Sequence, residues 1–203
     1  MRLWIDVGAC GDPNHFFKDL LGCYSEPHRA YHVLDHILVS LAEIAVVHWQ
    51  ARDVNAIRMA IWYHDAVYDP RRGDNEERSA VLAYLAMQNM ELDIDFIERV
   101  IRHILATKHN VLPTDFDTQL LVDVDLAVLG QGAEIFDVYN RGIRKEYDWV
   151  SPVDYARERS EVLRRFLKRP HIYLSEHFRE KYEIKARANI FRALAHLAKD
   201  LPR

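Results

Sequence analysis

Leu34-Asp35-His36-Ile37-Leu38-Val39-Ser40-Leu41-Ala42-Glu43-Ile44-Ala45 decides the fold class. Leu34, Ile37, Leu38, Leu41, Ile44 and Ala45 recur at three- and four-residue steps, the period of an α-helix with one side in a core. This helix is expected to run from about Arg29 to Trp49. The same period governs the chain on both sides. Asp12-Pro13 is an N-cap with proline at the first helical position, followed by Phe16, Phe17, Leu20 and Leu21. Another helix starts near Asp53 and carries Ile57, Ala60 and Ile61. Asp69-Pro70-Arg71-Arg72-Gly73-Asp74 is turn chemistry. Helices then follow from about Asn75 to Met90 and from Asp95 to Thr107. An apolar one runs from about Asp117 to Leu129 and stops at Gly130. Three amphipathic stretches close the chain, near 133–150, 152–168 and 176–199, with Ser151-Pro152 and Ser175 as start signals. No run alternates as a strand does. The expectation is an all-α chain: one domain over 1–203, with a core over about 25–130 and a C-terminal helical extension over about 131–203.

The 203 residues suffice for a full core, and 49% are hydrophobic. With 27 basic and 31 acidic residues the net charge is −4, so no bulk attraction draws the chain to nucleic acid or an anionic membrane. No stretch approaches the roughly 18 apolar residues of a membrane helix. Cys10 and Cys23 have no metal-ligand spacing and read as free thiols. These features suit a cytoplasmic protein, and a homo-oligomer is compatible with them.

Eleven histidines are the compositional oddity. His64-Asp65 ends the apolar run Met59-Ala60-Ile61-Trp62-Tyr63, where an ionised carboxylate needs a compensating cation or donor. An imidazole beside a carboxylate suits a borderline divalent metal. His32 and His36 stand four apart, which on one helix puts them on one face, a spacing used for chelation. Arg29 just upstream is a candidate phosphate fork. Asp123 and Asp125 interrupt Leu120-Leu121-Val122 and Leu126-Ala127-Val128-Leu129, so both acids need partners.

The ordered set of a His, then His64-Asp65, then a distant Asp in an apolar helix resembles the HD superfamily of metal-dependent phosphohydrolases. The resembling segments are Glu26-Pro27-His28-Arg29-Ala30-Tyr31-His32 with His36, Trp62-Tyr63-His64-Asp65-Ala66-Val67-Tyr68, Asn75-Glu76-Glu77-Arg78-Ser79-Ala80, Ala106-Thr107-Lys108-His109, Asp123 to Gly130, Ile143-Arg144-Lys145-Glu146-Tyr147 and Arg187-Ala188-Asn189. They are spread over most of the chain and lie closest to an uncharacterised bacterial branch of the superfamily. The resemblance implies an HD-like helical bundle that binds a divalent ion (Mn, Fe, Co, Ni, Zn or Mg). Its implied ligands are His64, Asp65 and Asp125, with either His36 or His32 as the first histidine. His36 is preferred, with His32 as its neighbour in the pocket. His109 is an additional ligand or a substrate contact. Glu76 is the candidate base. Arg29, Lys108 and Arg144 are candidates to hold the phosphate of a small phosphorylated substrate. A metal-binding sensor or scaffold and a metal-dependent oxygenase are the alternatives to hydrolysis.

Overall fold

Side chains at four helix starts take up backbone N–H groups that a helix leaves without partners. Asp12 accepts from Asn14 N ahead of α2 (Pro13–Cys23), Asp53 from Ala56 N ahead of α4 (Val54–Tyr63), Asp93 from Phe96 N ahead of α6 (Ile94–Ala106), and Ser151 from Asp154 N ahead of α9 (Pro152–Lys168). The other helices are α1 (Arg2–Asp6), α3 (Leu34–Val47), α5 (Asn75–Asn89), α7 (Phe116–Asp125), α8 (Ala133–Glu146) and α10 (Glu176–Leu197). Short 3-10 turns follow α3 at His48–Gln50 and α7 at Leu126–Gly130. This computed structural model describes residues 2–201. Met1, Pro202 and Arg203, the ends of the expected domain, lie outside the described residues. The fold is all-α, with no strand among the described residues. No described helix is long and apolar enough to cross a membrane. Cys10 and Cys23 are free thiols.

The chain divides into two compact units, one ending at Asp125 and the other starting at Leu126. In the first, α4 is the central element and packs against α3, α5, α6 and α7. Ala56, Ile57, Met59, Ala60, Ile61, Trp62 and Tyr63 are all buried, so α4 is enclosed on every side. Its start is tied to α7 by Asp117, whose buried carboxylate accepts from Arg52 N at 2.9 Å and Asp53 N at 2.8 Å. Its end is tied by Tyr24, whose hydroxyl donates to Trp62 O at 2.8 Å. His103, on α6, is buried and pairs with Thr118 Oγ1 on α7 at 2.9 Å, a structural role.

Two sequence expectations about α3 are corrected. The helix starts at Leu34, not near Arg29, so residues 30–33 form a bend, and His32 is not on the helix. The buried face is His36, Ile37, Ser40, Ile44 and Val47, while Leu38 and Ala45 point to solvent. Hydrophobicity all round the helix hid which face the core would take.

In the second unit the 3-10 turn Leu126–Gly130 packs against α10. Asn189 Nδ2 donates to Leu129 O and Gln131 O, both at 2.9 Å, and Tyr173 Oη donates to Leu126 O at 3.0 Å. The apolar helix therefore ends at Asp125, not at Leu129. Gly130 is required for close approach: a Cβ there would lie 2.4 Å from Tyr182 Cβ and 2.8 Å from its Cγ and Cδ1. No rotamer of Tyr182 moves its own Cβ away. Gly130→Ala is expected to lower stability by about 1–3 kcal/mol, read by thermal melting, and unchanged melting would show that the turn can yield.

α8 ends at Glu146, before the expected Val150. Arg144 gathers the following turn, donating to Tyr147 O and, at 3.0 Å, to Val150 O, with its guanidinium over the Tyr155 ring.

Candidate metal centre

Four side chains from three helices or helix ends meet in the first unit. His36 projects from the first turn of α3, His64 and Asp65 follow the last residue of α4, and Asp125 is the last residue of α7. His36 Nε2 lies 3.1 Å from His64 Nε2. Asp65 Oδ2 lies 3.0 Å from His64 Nε2 and 3.6 Å from His36 Nε2. Asp125 Oδ1 lies 3.2 Å from His36 Nε2 and 3.5 Å from His64 Nε2. Atoms about 2.0–2.2 Å from one divalent ion stand about 3.0–3.5 Å from each other, so this spacing suits a shared cation. His36, His64 and Asp65 by themselves form a group able to hold a metal. Both imidazoles are buried, and the two carboxylates are mostly enclosed.

The hydrogen bonds behind the rings fix what the cluster can hold. His64 Nδ1 is 2.9 Å from Ile61 O. A carbonyl oxygen only accepts, so Nδ1 carries the proton and the neutral ring turns a lone pair inward from Nε2. His36 Nδ1 is 3.1 Å from the Tyr31 hydroxyl, which can take the same proton. Two Nε2 lone pairs 3.1 Å apart repel unless a cation stands between them. Burial opposes a charge on His64, but Asp65 and Asp125 outweigh it and raise its pKa well above the usual imidazole value. Burial likewise opposes the charge on Asp65, yet His64 and His32 hold its carboxyl below the usual range. For Asp125, burial is outweighed by hydrogen bonds with His109, His36 and His64, and its carboxyl is held well below that range. The donor set thus fits a divalent ion of the borderline class.

His109 Nε2 stands 2.8 Å from Asp125 Oδ2, the oxygen turned away from His36 and His64 in these pairings. Its backbone is left-handed, with φ of 57°, which a non-glycine side chain adopts at a cost. That backbone brings the ring onto the carboxylate just past the end of α6. His109→Asn tolerates the backbone but is too short to reach Asp125. It is expected to weaken metal binding about 10- to 100-fold while melting shifts by only a few degrees. A metal titration that matches the wild type would show that His109 does not orient Asp125.

The other expected residues are distributed differently. His32 flanks the cluster, its ring 6.2 Å from that of His36 and 4.1 Å from that of Tyr68. Glu76 opens α5 and is half-buried, 3.9 Å from Lys108 Nζ; burial, more than any neighbour, raises its proton affinity. Lys108 Nζ donates to Gly73 O at 2.7 Å and to Glu77. It also lines a cleft of about 370 Å³ with Arg102, Leu105, Asn110, Pro113 and Thr118, in which none of the four cluster residues takes part. Arg29, expected to fork a phosphate, is bound to its own chain. Its side chain is 0% exposed, with Nε on Glu26, Nη1 on the carbonyls of His32 and Asp65, and Nη2 on that of Ala66. Arg144 is held by Tyr147 O and Val150 O in the second unit.

Several positioning residues escaped the sequence reading. Tyr31 orients His36. Asn75 closes the loop after the doublet, accepting from Asp69 N and donating to Asp69 O. Ser79 does the same with Val67 N and O. The only signal was their place within the resembling segments. Comparison with family models, with curated proteins and with solved structures found no match, so a functional reading rests on the side chains of the cluster itself.

Proposed function

We propose that the chain is a metal-dependent phosphohydrolase of the HD type, acting on a small phosphomonoester such as a nucleotide. The observation that carries the proposal is the convergence of Asp65 Oδ2 and Asp125 Oδ1 on the paired His36 Nε2 and His64 Nε2, with N···N and N···O spacings of 3.0–3.6 Å. A divalent ion held there would lower the pKa of a bound water and polarise a phosphoryl oxygen. Ile61 O and Tyr31 keep the two rings turned toward the ion. Glu76 is the candidate to accept the water's proton, since its raised pKa brings a carboxylate nearer to neutrality than an exposed glutamate. Lys108, paired with Glu76 and Glu77, is the candidate to meet a phosphate once it leaves Glu77.

The test is metal analysis of the purified chain, then inorganic phosphate release from nucleoside monophosphates and sugar phosphates by the metal-loaded protein. Turnover is expected, with Glu76→Gln lowering it about 10²- to 10⁴-fold while metal stays bound. Metal-loaded protein that releases no phosphate from the whole panel would defeat the proposal. One observation favours a second reading, a metal-binding sensor or scaffold: Arg29, Lys108 and Arg144 all bond their own chain. Stoichiometric metal without phosphate release or oxygen consumption would select it over both hydrolase and oxygenase.

A further inference from the structure

The outward face of α3 is apolar along its length. Leu38, Val39 and Val46 are 50%, 51% and 56% exposed, and Trp49, in the turn that follows, is 74% exposed. Ala42 and Ala45 lie between them and are exposed too. By helical position Leu38, Val39, Ala42, Ala45 and Val46 share one side of α3, and Trp49 stands in the 3-10 turn at its end. They offer on the order of 400 Å² of apolar surface, the size of a functional patch and not of scattered exposure. A standard interface takes about 800 Å² per partner, a little over half of it apolar, so the stripe supplies the apolar share of one.

We propose that this face is a homodimer interface in which α3 packs antiparallel on α3 of a second copy, about a two-fold axis between Ala42 and Ala45. A two-fold interface requires a patch complementary to itself. The stripe has that form, with small residues at the centre and large ones at both ends. The axis sets Ala42 beside the second copy's Ala45, where the absence of bulk allows helices to approach to about 8 Å. It sets Leu38 beside the second copy's Trp49. It also sets Asp35, at the start of the stripe, toward Arg52 of the second copy just beyond its end. Both are exposed and neither makes an ion pair among the described residues, although Arg52 lies near Asp115. Each interface would gain two such pairs at its rim, where opposite charges fix register. The buried side of the same helix carries His36, so the dimer would use a face separate from the metal cluster.

The test is sedimentation equilibrium of the full chain across a concentration series. Wild type is expected to dimerise in the micromolar range. Leu38→Glu with Val46→Glu is expected to raise the dissociation constant at least about 100-fold, with the helical signal and melting retained because both sites face solvent. Asp35→Arg alone is expected to weaken the dimer about tenfold, and adding Arg52→Asp to restore it. A wild type monomeric at about 100 μM, well above the micromolar range in which interfaces of this size begin to bind, leaves the face to some other partner and overturns the proposal. A dimer indifferent to Leu38→Glu with Val46→Glu overturns it as well. A charge-reversed double variant no tighter than Asp35→Arg overturns the antiparallel register.

Discussion

Asp125→Ala is expected to strip stoichiometric metal from the purified chain, and Asp65→Ala to do the same, while the fold persists. A dication among these four side chains is neutralised by two carboxylates, since neutral imidazoles contribute no charge. Without one of them the ion is under-compensated in an enclosed site, and Asp125 also carries the His109 bond. Loss of an outer partner costs 10- to 100-fold in affinity, so loss of a charged ligand is expected to cost at least about 100-fold. The fold should survive because the packing of α4 against α3, α5, α6 and α7 does not depend on the ion. Melting is best compared near pH 8, where His64, left with one carboxylate fewer, discharges more readily. Elemental analysis and melting on the same samples decide the matter: full metal occupancy in either variant would remove that residue from the site, and a large fall in melting with unchanged occupancy would make it structural.

Arg29→Met is expected to be among the most destabilising single changes in the first unit. It leaves the carbonyls of His32, Asp65 and Ala66 without their donor inside a shell where Arg29 is buried. Each enclosed carbonyl left without its donor costs about 1–3 kcal/mol, so the change is expected to cost about 3–5 kcal/mol in all. For a chain of this size that corresponds to a fall of roughly 6–20 °C in melting temperature. Two of the three carbonyls belong to the turn that holds Asp65, so metal affinity should fall with stability. A phosphate-binding arginine would behave in the opposite way, with melting unchanged and weaker binding of inorganic phosphate. Calorimetric melting with a phosphate titration separates the two roles.

The sequence was most legible where local chemistry decides structure. Ser151-Pro152 marked the start of α9, and Asp53 that of α4, because capping is settled within four residues. The segment ahead of α3 was not legible. The apolar period suggested a helix from about Arg29, but Arg29 reaches 36 and 37 residues along the chain to Asp65 and Ala66, and 29–33 lie outside the helix. Such a bond leaves no periodic trace. The four clustered side chains were singled out by their order along the chain and not by helix bounds, since α3 starts later than the periodicity suggested and α7 ends at Asp125 instead of Leu129. The cations could not be read, since nothing in the residues near Arg29, Lys108 or Arg144 reveals which carbonyl or carboxylate folding will bring to them.

The two histidines of the cluster are aimed by different means, and their resistance to sequence drift should differ accordingly. His64 bonds the carbonyl of Ile61, one turn back on its own helix, so ring and support travel together whenever substitutions in the core shift α4. His36 is aimed by Tyr31, whose position depends on the turn that Arg29 holds. Mutational histories can therefore rework the packing around α4 and keep the aim of His64, whereas the aim of His36 is hostage to a loop.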